Sequence, residues 1–119
     1  MLVIDDEEAI RFAFSEILAA SWLHVDTADS LEAAAELISQ KPYRCAVVDL
    51  RLSGTNAREG FEAVKMLRKH NRDCKIIVLT AYARDGAREQ AFSSGADYFM
   101  EKPTSPLEVR DVFQSLGAL

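Results

Sequence analysis

Four short segments end on residues that could share one piece of chemistry. "LVIDDEE" closes an apolar run on Asp5 and Asp6, and "VVDLRL" closes another on Asp49. "IIVLT" ends on Thr80, and "DYFMEKP" leads to Lys102 and Pro103. Together they offer three carboxylates, a hydroxyl and an ammonium. Carboxylates held within a few ångströms of one another repel, and a cation among them makes the arrangement tolerable. Hard oxygen donors with room left for water suit Mg²⁺. A phosphoryl group on Asp49 would have its oxygens met by that cation, by Lys102 and by the Thr80 hydroxyl, which is how the charge of phosphoryl transfer is stabilised. An ionised carboxylate is already a nucleophile, so Asp49 needs no neighbouring base to form an aspartyl phosphate.

Each residue also has a plainer reading. Asp5, Asp6, Glu7 and Glu8 suit a solvated first helical turn, where the helix dipole favours acids. A lone threonine often closes a strand, and a lone lysine is usually a surface residue. His24 and His70 have no second His or Cys at ligand spacing and read as structural or solvent-facing. The conjunction at four strand ends, in chain order, is what favours a shared site.

The elements needed to bring these ends together are legible. Helical stripes follow the short apolar runs in strict alternation. Glu7 to Ser21 carries Ile10, Phe14, Ile17 and Leu18 on one face, and Phe12 falls about 200° from Ile10. "WLHVDTA" has strand character. "DSLEAAAELISQK" predicts a helix with Asp29 as N-cap and Glu32 three residues on, a capping-box spacing; its stripe is Leu31, Ala34, Ala35 and Ile38. "CAVVDL" and "KIIVLT" are apolar throughout, as strands buried on both faces must be. Between them "GFEAVKMLRKHN" turns Phe61, Val64 and Leu67 inward. "ARDGAREQAFSSG" is a weak polar helix stopped at Gly95. "DYFM" is a fifth strand, and Pro106 suits the first turn of a last helix. Five strands alternating with five helices imply an α/β fold, a doubly wound, open parallel sheet with right-handed crossovers. Ligands of such sheets bind outside the carboxyl ends of the strands, near the topological switch point.

Composition narrows the function classes. At 119 residues there is room for one core, so residues 1–119 are expected to form one domain. A net charge of −5 without a basic cluster argues against direct nucleic-acid binding. No apolar run approaches the roughly 18 residues of a membrane span, and "MLVIDDEE" lacks the features of a signal peptide. Cys45 and Cys74 read as free buried thiols in a reducing cytoplasm.

The segments "VIDDEEAIR", "VVDLRL", "VLTAYA" and "GADYFMEKP" resemble the signature segments of the receiver domain of two-component response regulators, over essentially the whole chain. The resemblance implies a flavodoxin-like fold with strand order 2-1-3-4-5. It implies that Asp49 accepts a phosphoryl group from the phosphohistidine of a sensor histidine kinase or histidine phosphotransfer protein, and that the domain assists its own phosphorylation and dephosphorylation without being an enzyme in its own right. It implies Mg²⁺ held by Asp6, Asp49 and the backbone carbonyl of Arg51, with Asp5 acting through water. Thr80 takes the switch-hydroxyl position, Lys102 the phosphate-binding position, and Phe99 the position of the rotating switch aromatic. It also implies a cis Lys102–Pro103 bond, a docking role for the first helix, on which Phe12 is either an incidental surface aromatic or the anchor for a partner helix, and an output domain or a second copy as further partners.

The chain departs from the family in two places. Ser53 replaces the usual proline, and Gly60 falls eleven residues after Asp49, so the intervening loop is longer than usual. Phe99 lacks the hydroxyl of the commoner tyrosine. A flavodoxin-type FMN binder would need a hydroxyl-rich loop where this chain has "DDEE", and a haloacid-dehalogenase-type phosphatase would need an acid where Arg51 stands. The remaining rival, a receiver-like binding module that is never phosphorylated, has no use for the full set of Asp5, Asp6, Asp49, Thr80 and Lys102.

Overall fold

The apolar runs form a five-stranded parallel sheet in the order β2-β1-β3-β4-β5. The computed structural model describes residues 1–19, 23–52, 58–81, 83–84 and 86–119. Its elements alternate as the sequence predicts: β1 (Leu2–Ile4), α1 (Glu8–Ala19), β2 (Asp26–Ala28), α2 (Leu31–Gln40), β3 (Cys45–Val48), α3 (Arg58–His70), β4 (Lys75–Thr80), α4 (Ala87–Ser94), β5 (Tyr98–Glu101) and α5 (Pro106–Ser115). Expectations for Ser21, Trp22 and Ser53 fall outside the described residues.

Side chains alternate across a strand, so one sheet feeds two cores. Leu2, Ile4, Ala46, Val48, Ile76 and Val78 face α2, α3 and α4, whose Ile38, Phe61, Leu67 and Ala91 complete that layer. Met1, Val3, Cys45, Val47, Ile77 and Leu79 face α1 and α5, through Phe14, Leu18, Val109 and Phe113. This two-sided burial explains why β3 and β4 are apolar at nearly every position. Among the described residues no helix is long and apolar enough to cross a membrane. Cys45 and Cys74 are both free and buried, and burial pushes both thiols up, Cys74 to about 12.

Three local expectations are corrected. The N-cap of α2 is Ser30, not Asp29: its hydroxyl accepts from the Ala33 N–H at 3.1 Å, so the helix starts one residue later. Ile17 is an exposed hydrophobic, although Phe14 and Leu18 of the same helix are buried. The buried face is centred on those two, and Ile17 falls at its edge. The fourth helix begins at Ala87 rather than near residue 83, after Gly86 at a positive φ of 84° with no side-chain cap.

The start of α3 meets Leu50 at one tight point. Gly60, in the first turn of α3, donates its N–H to the Leu50 carbonyl at 3.0 Å. A Cβ there would lie 2.2 Å from Leu50 Cα. The start of α3 thus closes against the residue next to Asp49.

Candidate functional site

The sheet's switch point lies between β1 and β3, because the chain leaves β1 for β2 on one side and reaches β3 on the other. Asp5 and Asp49 stand immediately beyond these two strands. Each is held by the neighbouring strand's backbone: Asp5 N–H donates to the Ala28 carbonyl at 3.0 Å, and Asp49 N–H to the Ile4 carbonyl at 2.8 Å. Lys102 is fixed likewise, its N–H donating to the Thr80 carbonyl at 3.0 Å. The Lys102–Pro103 peptide is cis, as the resemblance implied.

From this position Lys102 reaches back into the cleft. Its Nζ lies 2.9 Å from Asp5 Oδ2, 3.1 Å from Asp49 Oδ2 and 3.3 Å from Glu7 Oε1. Burial works against the ammonium's charge, but hydrogen bonds and the fields of Asp5 and Asp49 outweigh it and raise its pKa above the ordinary 10.5. Burial is also the largest influence on Asp5. With the charge of Asp49 it lifts the Asp5 carboxyl above 3.8, against the lowering effect of the Glu7 N–H and of Lys102. Asp49 is 5% exposed, and its Oδ1 has no hydrogen-bond partner among the described residues. A buried carboxylate oxygen left unpaired carries a desolvation penalty that an incoming positive or donor group would relieve.

The cleft has a volume of about 400 Å³ and is lined by Asp6, Glu7, Asp49, Arg51, Thr80, Ala81, Arg84 and Lys102. One oxygen from each of Asp5, Asp6, Glu7 and Asp49 lies within 4.8 Å of the others. The structure thus brings together Asp5, Asp6, Asp49, Arg51, Thr80 and Lys102. Phe99 stands apart: it is buried in the core layer that also holds Ala87 and Ala91 of α4, and it does not line the cleft. Glu7 is the cleft residue that sequence reasoning left in a solvated helical turn. The signal for it was present, since an acid one residue beyond an aspartate pair sits where the chain turns from β1 into α1. The donor set, all hard oxygens around an unpaired buried carboxylate oxygen, fits a hard divalent cation.

Fold and cleft together define a doubly wound α/β domain with an acidic, lysine-capped cleft at its switch point. Residues 1–114 match the family model of the response regulator receiver domain, and the chain belongs to that family. The transcriptional regulatory protein SrrA of Staphylococcus aureus is 34% identical over 109 residues, which make up 92% of this chain and 44% of that protein. The chain therefore spans less than half the length of the curated relatives it matches. Among solved structures, a response regulator from Burkholderia pseudomallei with a phosphorylated aspartic acid, a calcium ion and citrate superposes with a TM-score of 0.84 at 27% identity, covering 98% of this chain and 71% of that one. TrrA from Thermotoga maritima, in complex with Mg(2+)-BeF, gives 0.79 at 30% identity, covering 97% and 96%. A CheY-like receiver domain from Methanospirillum hungatei shares the fold with a TM-score of 0.88 at 23% identity, over 97% and 90%.

Proposed function

We propose that residues 1–119 form one receiver domain that accepts a phosphoryl group on Asp49 from the phosphohistidine of a sensor histidine kinase or histidine phosphotransfer protein. The observation that carries this reading is Asp49 itself: buried, with Oδ1 unpaired and Oδ2 held 3.1 Å from the Lys102 ammonium. Oδ1 attacks phosphorus as the phosphorus–nitrogen bond of the donor breaks, and the electron pair of that bond returns to the imidazole. Lys102 holds Oδ2 of the carboxylate and then meets a phosphoryl oxygen. The Thr80 hydroxyl, at the cleft wall, meets another. Asp6, Asp49 and the Arg51 carbonyl would hold Mg²⁺, with Asp5 acting through water. When bound, Mg²⁺ neutralises charge on the phosphoryl oxygens.

The domain assists its own phosphorylation and dephosphorylation and turns over no separate substrate. Movement of Thr80 toward the phosphoryl group would alter the surface of α4 and β5, where an output domain or a second copy would bind. Phe99 would begin from its buried position against α4. The two free buried cysteines suit a cytoplasmic setting.

Incubation with a small phosphodonor and Mg²⁺ tests this. The wild type should gain one phosphoryl group that is labile to base and to hydroxylamine, and Asp49→Asn should gain none. A modified Asp49→Asn protein, or an unmodified wild type, contradicts the proposal.

A further inference from the structure

We infer that Glu7 is a positioning residue that competes with the phosphoryl group at Asp49 for the Lys102 ammonium. The inference deepens the phosphoacceptor reading and rests on it. An ammonium has three donors and no acceptor. Around Lys102 Nζ stand three carboxylate oxygens, from Asp5 at 2.9 Å, Asp49 at 3.1 Å and Glu7 at 3.3 Å. The ammonium thus donates to Glu7 and Asp49 and is ion-paired with Asp5 before any phosphoryl group arrives.

A phosphoryl oxygen needs at least one of the ammonium's donors. Asp5 makes the shortest of the three contacts, at 2.9 Å, and its side chain is buried, so water cannot readily replace the ammonium there. Asp49 carries the phosphoryl group itself. Glu7 makes the longest of the three contacts, and its side chain is 59% exposed, so water can replace the ammonium at its carboxylate. Glu7 is the partner that gives way.

Its placement is built into the chain. The Glu7 N–H donates to Asp5 Oδ1 at 2.9 Å, and its carbonyl accepts from Ile10 and Arg11 at 3.1 and 3.2 Å, at the start of α1. Arg11 Nη1 also donates to the Asp5 carbonyl at 2.9 Å. The side chain thus leaves a fixed backbone at the cleft rim, and its length lets it reach Lys102.

The test uses beryllofluoride with Mg²⁺ as the phosphoryl mimic, with affinities measured by calorimetry for the wild type, Glu7→Gln and Glu7→Asp. At saturating Mg²⁺, Glu7→Gln should bind beryllofluoride about two- to fivefold more tightly, the range of an exposed ion pair. Glu7→Asp keeps the charge but withdraws it from Lys102, so it should tighten binding as Glu7→Gln does. Equal or weaker binding by Glu7→Gln overturns the inference. Wild-type behaviour in Glu7→Asp beside tightening in Glu7→Gln overturns it in favour of simple repulsion at the rim. A Glu7→Gln protein that binds no Mg²⁺ where the wild type does overturns it in favour of a cation ligand. A wild type that takes no beryllofluoride, or an Asp49→Asn protein that does, is a failure of the phosphoacceptor reading, and the role of Glu7 falls with it.

Discussion

Gly60→Ala is the substitution for which helix propensity and packing predict opposite signs. In a helix, alanine is favoured over glycine by about 1 kcal/mol, so sequence alone predicts a gain. In the structure, the new Cβ would lie 2.2 Å from Leu50 Cα, 2.4 Å from its carbonyl oxygen and 2.6 Å from its carbonyl carbon. All three are backbone atoms, and none can swing aside as a side chain would. Restoring van der Waals contact requires α3 to retreat by about 1 Å, and overpacking of this kind costs about 1–3 kcal/mol. The same retreat stretches the 3.0 Å bond from the Gly60 N–H to the Leu50 carbonyl, adding about 1 kcal/mol. Set against the propensity gain, the net loss is about 1–3 kcal/mol. At about 4 °C per kcal/mol for a chain of this size, the melting temperature should fall by about 4–12 °C. Urea denaturation at constant m-value measures the loss directly. Glu62→Ala, an exposed position in the same helix, is the control and should stay within about 0.5 kcal/mol of wild type. A Gly60→Ala protein as stable as wild type, or more so, would refute the close approach of α3 to Leu50.

Arg68 ties α3 to the end of α4: Nε and Nη2 donate to the Gly95 carbonyl, Nη1 to the Arg72 and Cys74 carbonyls, and Nη2 to Asp97 Oδ2 at 2.7 Å. Arg68→Ala should cost about 2–3 kcal/mol in urea unfolding, and Arg68→Lys should recover little because it lacks the planar fork; full recovery by lysine would count against this geometry. Burial opposes ionisation of Asp26, but hydrogen bonds from Lys41, Tyr43 and His24 outweigh it and hold its carboxyl below 3.8. A depressed carboxyl stabilises the fold above its unfolded pKa and loses that contribution as pH falls through the folded value. Asp26→Asn should thus be about 1 kcal/mol less stable at pH 7, with the gap to wild type closing only below pH 3.8; a gap constant down to pH 3 would contradict it. Phe12, 64% exposed on α1, should serve docking rather than folding. Phe12→Ala should leave stability and small-donor phosphorylation unchanged while slowing transfer from the cognate phosphohistidine protein, and an unaffected transfer rate would place the docking surface elsewhere.

The element sequence and the inward faces of α2 and α3 were legible because burial on both faces writes continuous apolar runs and regular stripes, whereas the strand order came from the family resemblance. The exposure of Phe12 was legible from helical phase alone. Asp5, Asp49, Thr80 and Lys102 were legible because a parallel sheet places its carboxyl ends on one edge. What was hidden depends on distances that spacing does not encode. Ser30 prevails over Asp29 as a cap because its hydroxyl meets the Ala33 N–H; both residue types suit that position. The burial of Ile17 was misread because it sits at the edge of its helical stripe, where a small rotation decides exposure. Glu7 was passed over because an acid in a first helical turn already has a sufficient reason to be there. Only the approach of Lys102, from 95 residues away in sequence, gives it a second one.

The central claim is that Asp49 is the phosphoacceptor. Treating the phosphorylated wild type with borohydride reduces an aspartyl phosphate to homoserine, and peptide mass spectrometry then locates the residue. The structure predicts homoserine at position 49 alone, formed only when Mg²⁺ accompanied the phosphodonor. Homoserine at Asp5 or Asp6, or at no position in a protein that had taken up phosphate, would contradict it.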